Sequence, residues 1–161
     1  MGKVMCRPDS RPGTYVLVLV LDKSCVVQAG RLGELQLEAG WYAYVGSAFG
    51  PGGIQARCGH HRQISQRPHW HIDYLRAVAR LDAIWFSHDL QRREHQWAQL
   101  LSSARGARIP VPSFGSSDCN CLSHLVYLSR PPSFESFRRR ARREIPDSFT
   151  IFNELVKNAL I

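Results

Sequence analysis

Little in this sequence would build a disulfide scaffold, a membrane span or an acidic surface. The five cysteines, Cys6, Cys25, Cys58, Cys119 and Cys121, are odd in number and irregularly spaced. Such a set argues against a framework of paired bridges and for reduced thiols or metal ligands. The strongly apolar run at residues 16–21 is far too short to cross a bilayer, which takes about 20 residues. Residues 1–8 lack the apolar segment of a signal peptide, so the expected location is the cytoplasm and no membrane partner is expected. Acidic residues are scarce: 13 Asp and Glu stand against 21 Lys and Arg, a formal net charge of +8. A surface of that sign draws polyanions, because phosphate contacts release condensed counterions. It also serves plain solubility with no partner at all. There is no internal repeat, and no biased tract beyond an arginine cluster near the end of the chain.

What is present fits one domain. The 161 residues, 44% of them hydrophobic, suffice for a single core. Residues 1–12, with two prolines and scattered charge, read as a disordered lead-in. Residues 15–21 read as a buried strand, residues 25–29 as a second, and residues 35–38 alternate as a half-buried strand does. Residues 41–45 form the next strong strand, and short turns between these runs predict an antiparallel meander. A loop with three glycines and a proline, residues 49–53, precedes a helix at 54–63. Further helices are expected from 69 to about 80 and at 91–104, with strands at 81–86 and 125–128. Ser133 and Asp147 have the chemistry of helix N-caps and predict two terminal helices, at 133–143 and 147–160. The economical division is an α+β domain at residues 13–130, followed by a helical, basic extension at 131–161.

Three stretches carry side chains with chemistry. On helix 54–63, Ile54, Arg57, Cys58 and His61 share one face. That face is too polar for packing alone, although an amphipathic helix with a polar edge has the same spacing. On helix 91–104, Leu90, Glu94, Trp97, Ala98 and Leu101 form one stripe, which turns a carboxylate inward. A buried carboxylate needs a cation, a metal or hydrogen-bond donors; a local ion pair with Arg93 or Arg57 would also serve. Tyr15 and Tyr44 lie on two strands that could face a common pocket. A single carboxylate with several waters suits Mg2+ or Mn2+, which also bind phosphate oxygens. An arginine suits the charge that develops on a phosphate. A tyrosine or histidine takes a proton from a water nucleophile if its neighbours lower its pKa. Together these residues are the parts list of a one-metal phosphodiesterase.

The ordered set Gly13-Thr14-Tyr15, Tyr44-Val45-Gly46-Ser47-Ala48, Arg57, His61 and Glu94 resembles the GIY-YIG nuclease superfamily. The longer blocks at residues 40–48, 69–75 and 114–125 resemble one uncharacterised branch of it, sometimes fused to endonuclease III-type DNA glycosylases. The resemblance covers about residues 13–128. It implies a small antiparallel sheet of about three strands flanked by helices, and a divalent-metal-dependent endonuclease acting on DNA. It also implies Tyr15 and Tyr44 in the active site, one of them near the attacking water. Arg57 is then on the scissile phosphate, His61 is a proton-transfer or positioning residue, and Glu94 is the ligand of one Mg2+ or Mn2+. Thr14 departs from the isoleucine of the family signature. Asn120 is the counterpart offered for the late asparagine of many members.

Two other clusters stand outside that set. Cys119-x-Cys121-x-x-His124, with His69, His71 and Cys58 elsewhere, could supply soft ligands to Zn2+. Buried thiols with polar contacts among the histidines, Asp73 and Asp118 account for the same residues. His69, His71 and Asp73 could instead line a cleft or a DNA path. Arg138, Arg139, Arg140, Arg142 and Arg143 form a phosphate-binding patch or a solvated helix face. A nucleic-acid-binding module without catalysis, or a zinc-stabilised interaction domain, are the rival functions.

Overall fold

The computed structural model describes residues 7–116 and 123–156. In chain order the elements are β1 (Gly13–Leu21), β2 (Cys25–Gln28), β3 (Glu34–Leu37), β4 (Gly40–Ala48), α1 (Gly53–Arg62), α2 (His71–Arg76), β5 (Arg80–Ser87), α3 (Glu94–Ser102), β6 (Leu125–Leu128), α4 (Phe134–Glu144) and β7 (Phe152–Leu155). The α+β class follows the expectation. The sheet is larger: five antiparallel strands in the order β6-β4-β1-β5-β7, rather than about three. Nor is it a meander. β2 and β3 leave the sheet as a separate hairpin, and β4 returns to pair directly with β1. The extra members are the edge strands: β6, the strand expected at 125–128, pairs with β4, and β7, four residues long, is too short to impose a clear period of two.

The central strands sort their side chains by alternation. Tyr15, Leu17, Leu19 and Leu21 of β1 join Ile54 and Cys58 of α1 and Ile72 and Leu75 of α2 on one face. Val16 and Val18 face the other way, against Trp97 and Leu101 of α3 and Phe137 and Ala141 of α4. On that second face Trp85 stacks on Phe137 at 5.2 Å and Trp97 meets the same ring edge-on at 5.2 Å. Such ring pairs add about 0.5–1.5 kcal/mol each beyond the area they bury.

Both chain ends differ from expectation. The sequence suggests a disordered lead-in at 1–12. Residues 1–6 lie outside the described residues; within 7–12, Asp9 and Arg11 accept through their carbonyls from the N–H groups of Gln55 and Ile54. These are among the four donors that any helix start leaves without an internal partner. At the other end, α4 forms as predicted, with the Ser133 hydroxyl capping the N–H of Ser136. The second terminal helix does not form over 147–156. Phe152–Leu155 is β7, paired with β5, and Phe152 packs on Phe86 at 5.4 Å. The open edge of β5 offers a full row of backbone partners, which decides against a cap signal of about 1 kcal/mol. Residues 131–155 therefore belong to the same sheet and core and do not stand apart as an extension. Among the described residues no helix is long and apolar enough to cross a membrane.

Candidate active site

β1 and β4 run antiparallel, with Tyr15 opposite Gly46 and Leu17 opposite Tyr44. The two tyrosines therefore project from one face, diagonally placed. Gly46 is what lets Tyr15 lie flat across the partner strand: a Cβ there would sit 2.4 Å from the Tyr15 hydroxyl. Gly115 makes a matching concession on the other side. It adopts φ +69°, and a Cβ there would meet the Tyr44 ring at 2.9 Å.

Helix α1 crosses this face. His61, in its last turn, is 1% exposed, and its Nε2 is 2.8 Å from the Tyr15 hydroxyl. The Tyr44 ring meets His61 edge-on at 6.5 Å. Arg57, one turn earlier, lays its guanidinium over Trp70 at 4.3 Å and makes no ion pair or hydrogen bond among the described residues. Burial pushes the Tyr15 phenol well above its usual range, helped by Tyr44 and opposed by Arg57. Tyr44 moves the same way, through burial first and then Glu94. Burial, with His60 beside it, holds His61 down at about 3. All three groups are neutral at neutral pH.

Glu94 arrives from the opposite face. It opens α3 and reaches the end of β4, where the Ser47 hydroxyl donates to its Oε2 at 2.8 Å. His124 Nδ1 is 2.8 Å from Oε1. Burial works against ionisation here, but the contacts from His124 and Ser47 outweigh it and the carboxyl titrates below its ordinary range. Neither Arg93 nor Arg57 is its partner. Arg93 pairs with Asp89 at 2.9 Å, both side chains buried, and its N–H donates to the Thr14 hydroxyl. That clamp fixes where α3 begins, and it leaves Leu90 in the preceding loop, 71% exposed, rather than on the helix stripe.

The result is a cleft of about 320 Å³ whose walls include Tyr15, Tyr44, Ser47, Arg57, Glu94 and His124. Arg92 and His95 also face it, and sequence reasoning missed both. Their only signal is adjacency to Glu94, two residues before and one after. His61 stands behind Tyr15 rather than in the wall.

Comparison with protein families matches residues 14–145 to a domain of unknown function, DUF123. The chain belongs to this family. The DUF123 match spans β1 through α4 and includes every residue of the cleft. No curated protein matches the chain, and no solved structure does.

Other sequence candidates fall elsewhere. Within the DUF123 span, His69 is exposed against Trp70, and His71 Nδ1 accepts from the N–H of Gly115 at 2.9 Å. Asp73 accepts from the N–H groups of His69 and Trp70 and lies 2.8 Å from His60 Nε2. None of the three lines the cleft. His71 bears on it indirectly, by pinning the loop that carries Gly115 to Tyr44. Asp118, Cys119, Asn120 and Cys121 lie outside the described residues; His124, read with them as a zinc ligand, faces Glu94 instead. The arginine helix α4 packs on the face opposite α1. Arg140 donates to the carbonyl of Leu100 and to Ser103 at 2.8 Å each, closing the end of α3, and Arg138 pairs with Glu135. Arg139, Arg142 and Arg143 are exposed.

Proposed function

We propose that this cleft is the active site of a divalent-metal-dependent endonuclease of the GIY-YIG type, hydrolysing phosphodiester bonds in DNA. The observation that carries the reading is the convergence of Tyr15, Tyr44, Arg57 and Glu94, from four separate elements, on one cleft. Glu94 is the residue that would hold Mg2+ or Mn2+, and such an ion supplies charge stabilisation at phosphate oxygens and lowers the pKa of a bound water. The fit rests on an ionised carboxylate, 20% exposed, facing a space large enough for the waters these ions retain.

The chain's own groups have definable work. Arg57, stacked on Trp70 and without an ion pair or hydrogen bond among the described residues, presents its N–H edge to a phosphate. Ser47 and His124 fix the orientation of the Glu94 carboxylate. The Tyr15 hydroxyl shares a hydrogen with His61 Nε2, so a proton can be held at either atom. Exposed Arg139, Arg142 and Arg143 suit the DNA backbone away from the cleft. A nucleic-acid-binding module without catalysis is the second reading, favoured by the burial that keeps both phenols neutral.

Plasmid and branched DNA incubated with the protein in Mg2+ and in Mn2+ test the reading. Cleavage is expected, reduced by about 10²–10³-fold in Glu94→Ala and in Arg57→Ala. Cleavage unchanged in both variants sinks the site assignment. Salt-sensitive binding without cleavage under either metal leaves only the binding module.

A further inference from the structure

At the C-terminal end of α1, two histidines and a carboxylate face one another outside the cleft. The geometry points to a divalent transition-metal site of the zinc class formed by His60, His61 and Asp73. One ligand atom from each lies within 4.8 Å of the others. The site would form whether or not the cleft cleaves phosphodiesters.

The donors are prepared unequally. Asp73, 2% exposed in the first turn of α2, commits Oδ2 to the N–H groups of His69 and Trp70. Its Oδ1 is thereby aimed at His60 Nε2, 2.8 Å away. His61, 1% exposed, commits Nε2 to Tyr15. Its Nδ1 is buried without a hydrogen-bond partner among the described residues. Buried polar atoms are nearly always partnered, so an orphan nitrogen on an imidazole grouped with a second histidine and a carboxylate has the features of an unfilled ligand. Two imidazoles and one carboxylate are the donor set of open zinc centres, whose fourth position belongs to water or substrate. His60, with 36% of its side chain exposed, gives the ion its way in.

The fit needs one adjustment. Bonds of about 2.1 Å in a tetrahedron put neighbouring ligands roughly 3.4 Å apart. The His60–Asp73 pair opens slightly from 2.8 Å, and any wider separation, all of them within 4.8 Å, closes towards that value. His60, on the surface, can make that movement while the two buried ligands stay in place. An ion on Nδ1 fixes the His61 hydrogen on Nε2, where it donates to the Tyr15 oxygen. The hydroxyl hydrogen of Tyr15 is then directed away from His61. The site would thus set the polarity of a bond at the edge of the cleft, besides tying α1 to α2.

The test strips the full chain with a chelator and titrates it with Co2+, read by visible d–d absorption, with Zn2+ as competitor. Tetrahedral bands without thiolate-to-cobalt charge transfer are expected. His60→Ala and Asp73→Asn should weaken binding by about 10–100-fold, with Glu94→Gln unchanged. Circular dichroism checks folding; should Asp73→Asn unfold, surface-exposed His60→Ala carries the comparison. No Co2+ uptake at equimolar metal overturns the site and leaves His60–Asp73 a plain hydrogen-bonded clamp. Bands with thiolate charge transfer that survive His60→Ala overturn it in favour of the cysteines, and loss in Glu94→Gln alone overturns it in favour of the cleft.

Discussion

Gly46→Ala places one methyl group against the side chain on which the cleft depends. The new Cβ would lie 2.4 Å from the Tyr15 hydroxyl, 2.5 Å from Cζ and 2.9 Å from Cε2. No carbon tolerates such contacts, so the ring or the strand must move. The ring has nowhere to go: it is 1% exposed and tied to His61, itself 1% exposed. Overpacking of a well-filled core costs about 1–3 kcal/mol. Parting Tyr15 from His61 leaves two buried polar groups without partners, about another 1–3 kcal/mol. The sum is about 2–6 kcal/mol, or a fall in Tm of roughly 4–24 °C for a chain of this length. Gly59→Ala is the matched control. Its Cβ would meet nothing within 4 Å, and it lies inside α1, so the same methyl should stabilise by about 0.5–1 kcal/mol. Thermal and urea unfolding followed by circular dichroism read both. A Gly46→Ala protein melting within a degree or two of wild type would refute the confinement of Tyr15, and with it the account of why this glycine stands in the sequence.

Other perturbations test other parts. Arg93→Ala leaves Asp89 ionised and buried, and should cost about 3 kcal/mol in urea unfolding, as breaking a buried pair does; a loss below about 1 kcal/mol would show that the N–H groups of Gln91 and Phe149 suffice for Asp89. His61 is held at about 3, below its unfolded value near 6.5. The unfolded chain therefore binds the extra proton first, so this contribution is complete above about pH 6.5 and is lost as pH falls towards 3. Chelator-treated protein should lose stability between pH 6 and 4.5 with a slope approaching about 1.4 kcal/mol per pH unit, His71, lowered by burial, adding in the same direction; a flat profile contradicts it. Arg140→Ala should lower stability by about 1 kcal/mol through the exposed end of α3. Arg139→Ala and Arg142→Ala should leave stability unchanged and each reduce the salt slope of DNA binding by about 1; the reverse pattern would put Arg140 on the nucleic acid.

How legible this fold was depended on the length of each signal. The buried runs of β1, β4 and β5 declare themselves through apolar residues at the right spacing, and α4 through its serine cap. So does β6, expected at 125–128, although its pairing with β4 is not local. β7 does not, because four residues carry too little pattern, and a strand such as Phe152–Leu155 exists only because β5 presents an open edge. At the cleft, Glu94 was visible as a carboxylate on a helix stripe, but its partners were not. Arg93 and Arg57 are near in sequence or chemistry, yet Asp89 claims the first and Trp70 the second. Ser47 and His124 reach Glu94 only because β4 ends and β6 begins beside the first turn of α3.

By itself the sequence determined the class of fold, the central strands, the basic surface and the identities of the tyrosines, the arginine and the carboxylate that could do chemistry. Those properties are local: hydrophobic period, turn residues and side-chain type act over a few positions. The tertiary structure alone decided that His61 backs Tyr15, that His60 turns instead to Asp73, and that most of the arginine helix faces away from the cleft. Adjacent residues on a helix point about 100° apart, so which neighbour each histidine meets depends on what the sheet and α2 bring to that face. The tyrosine pair is a pair because β4 crosses the hairpin to lie beside β1, with Gly46 leaving room for the ring between them.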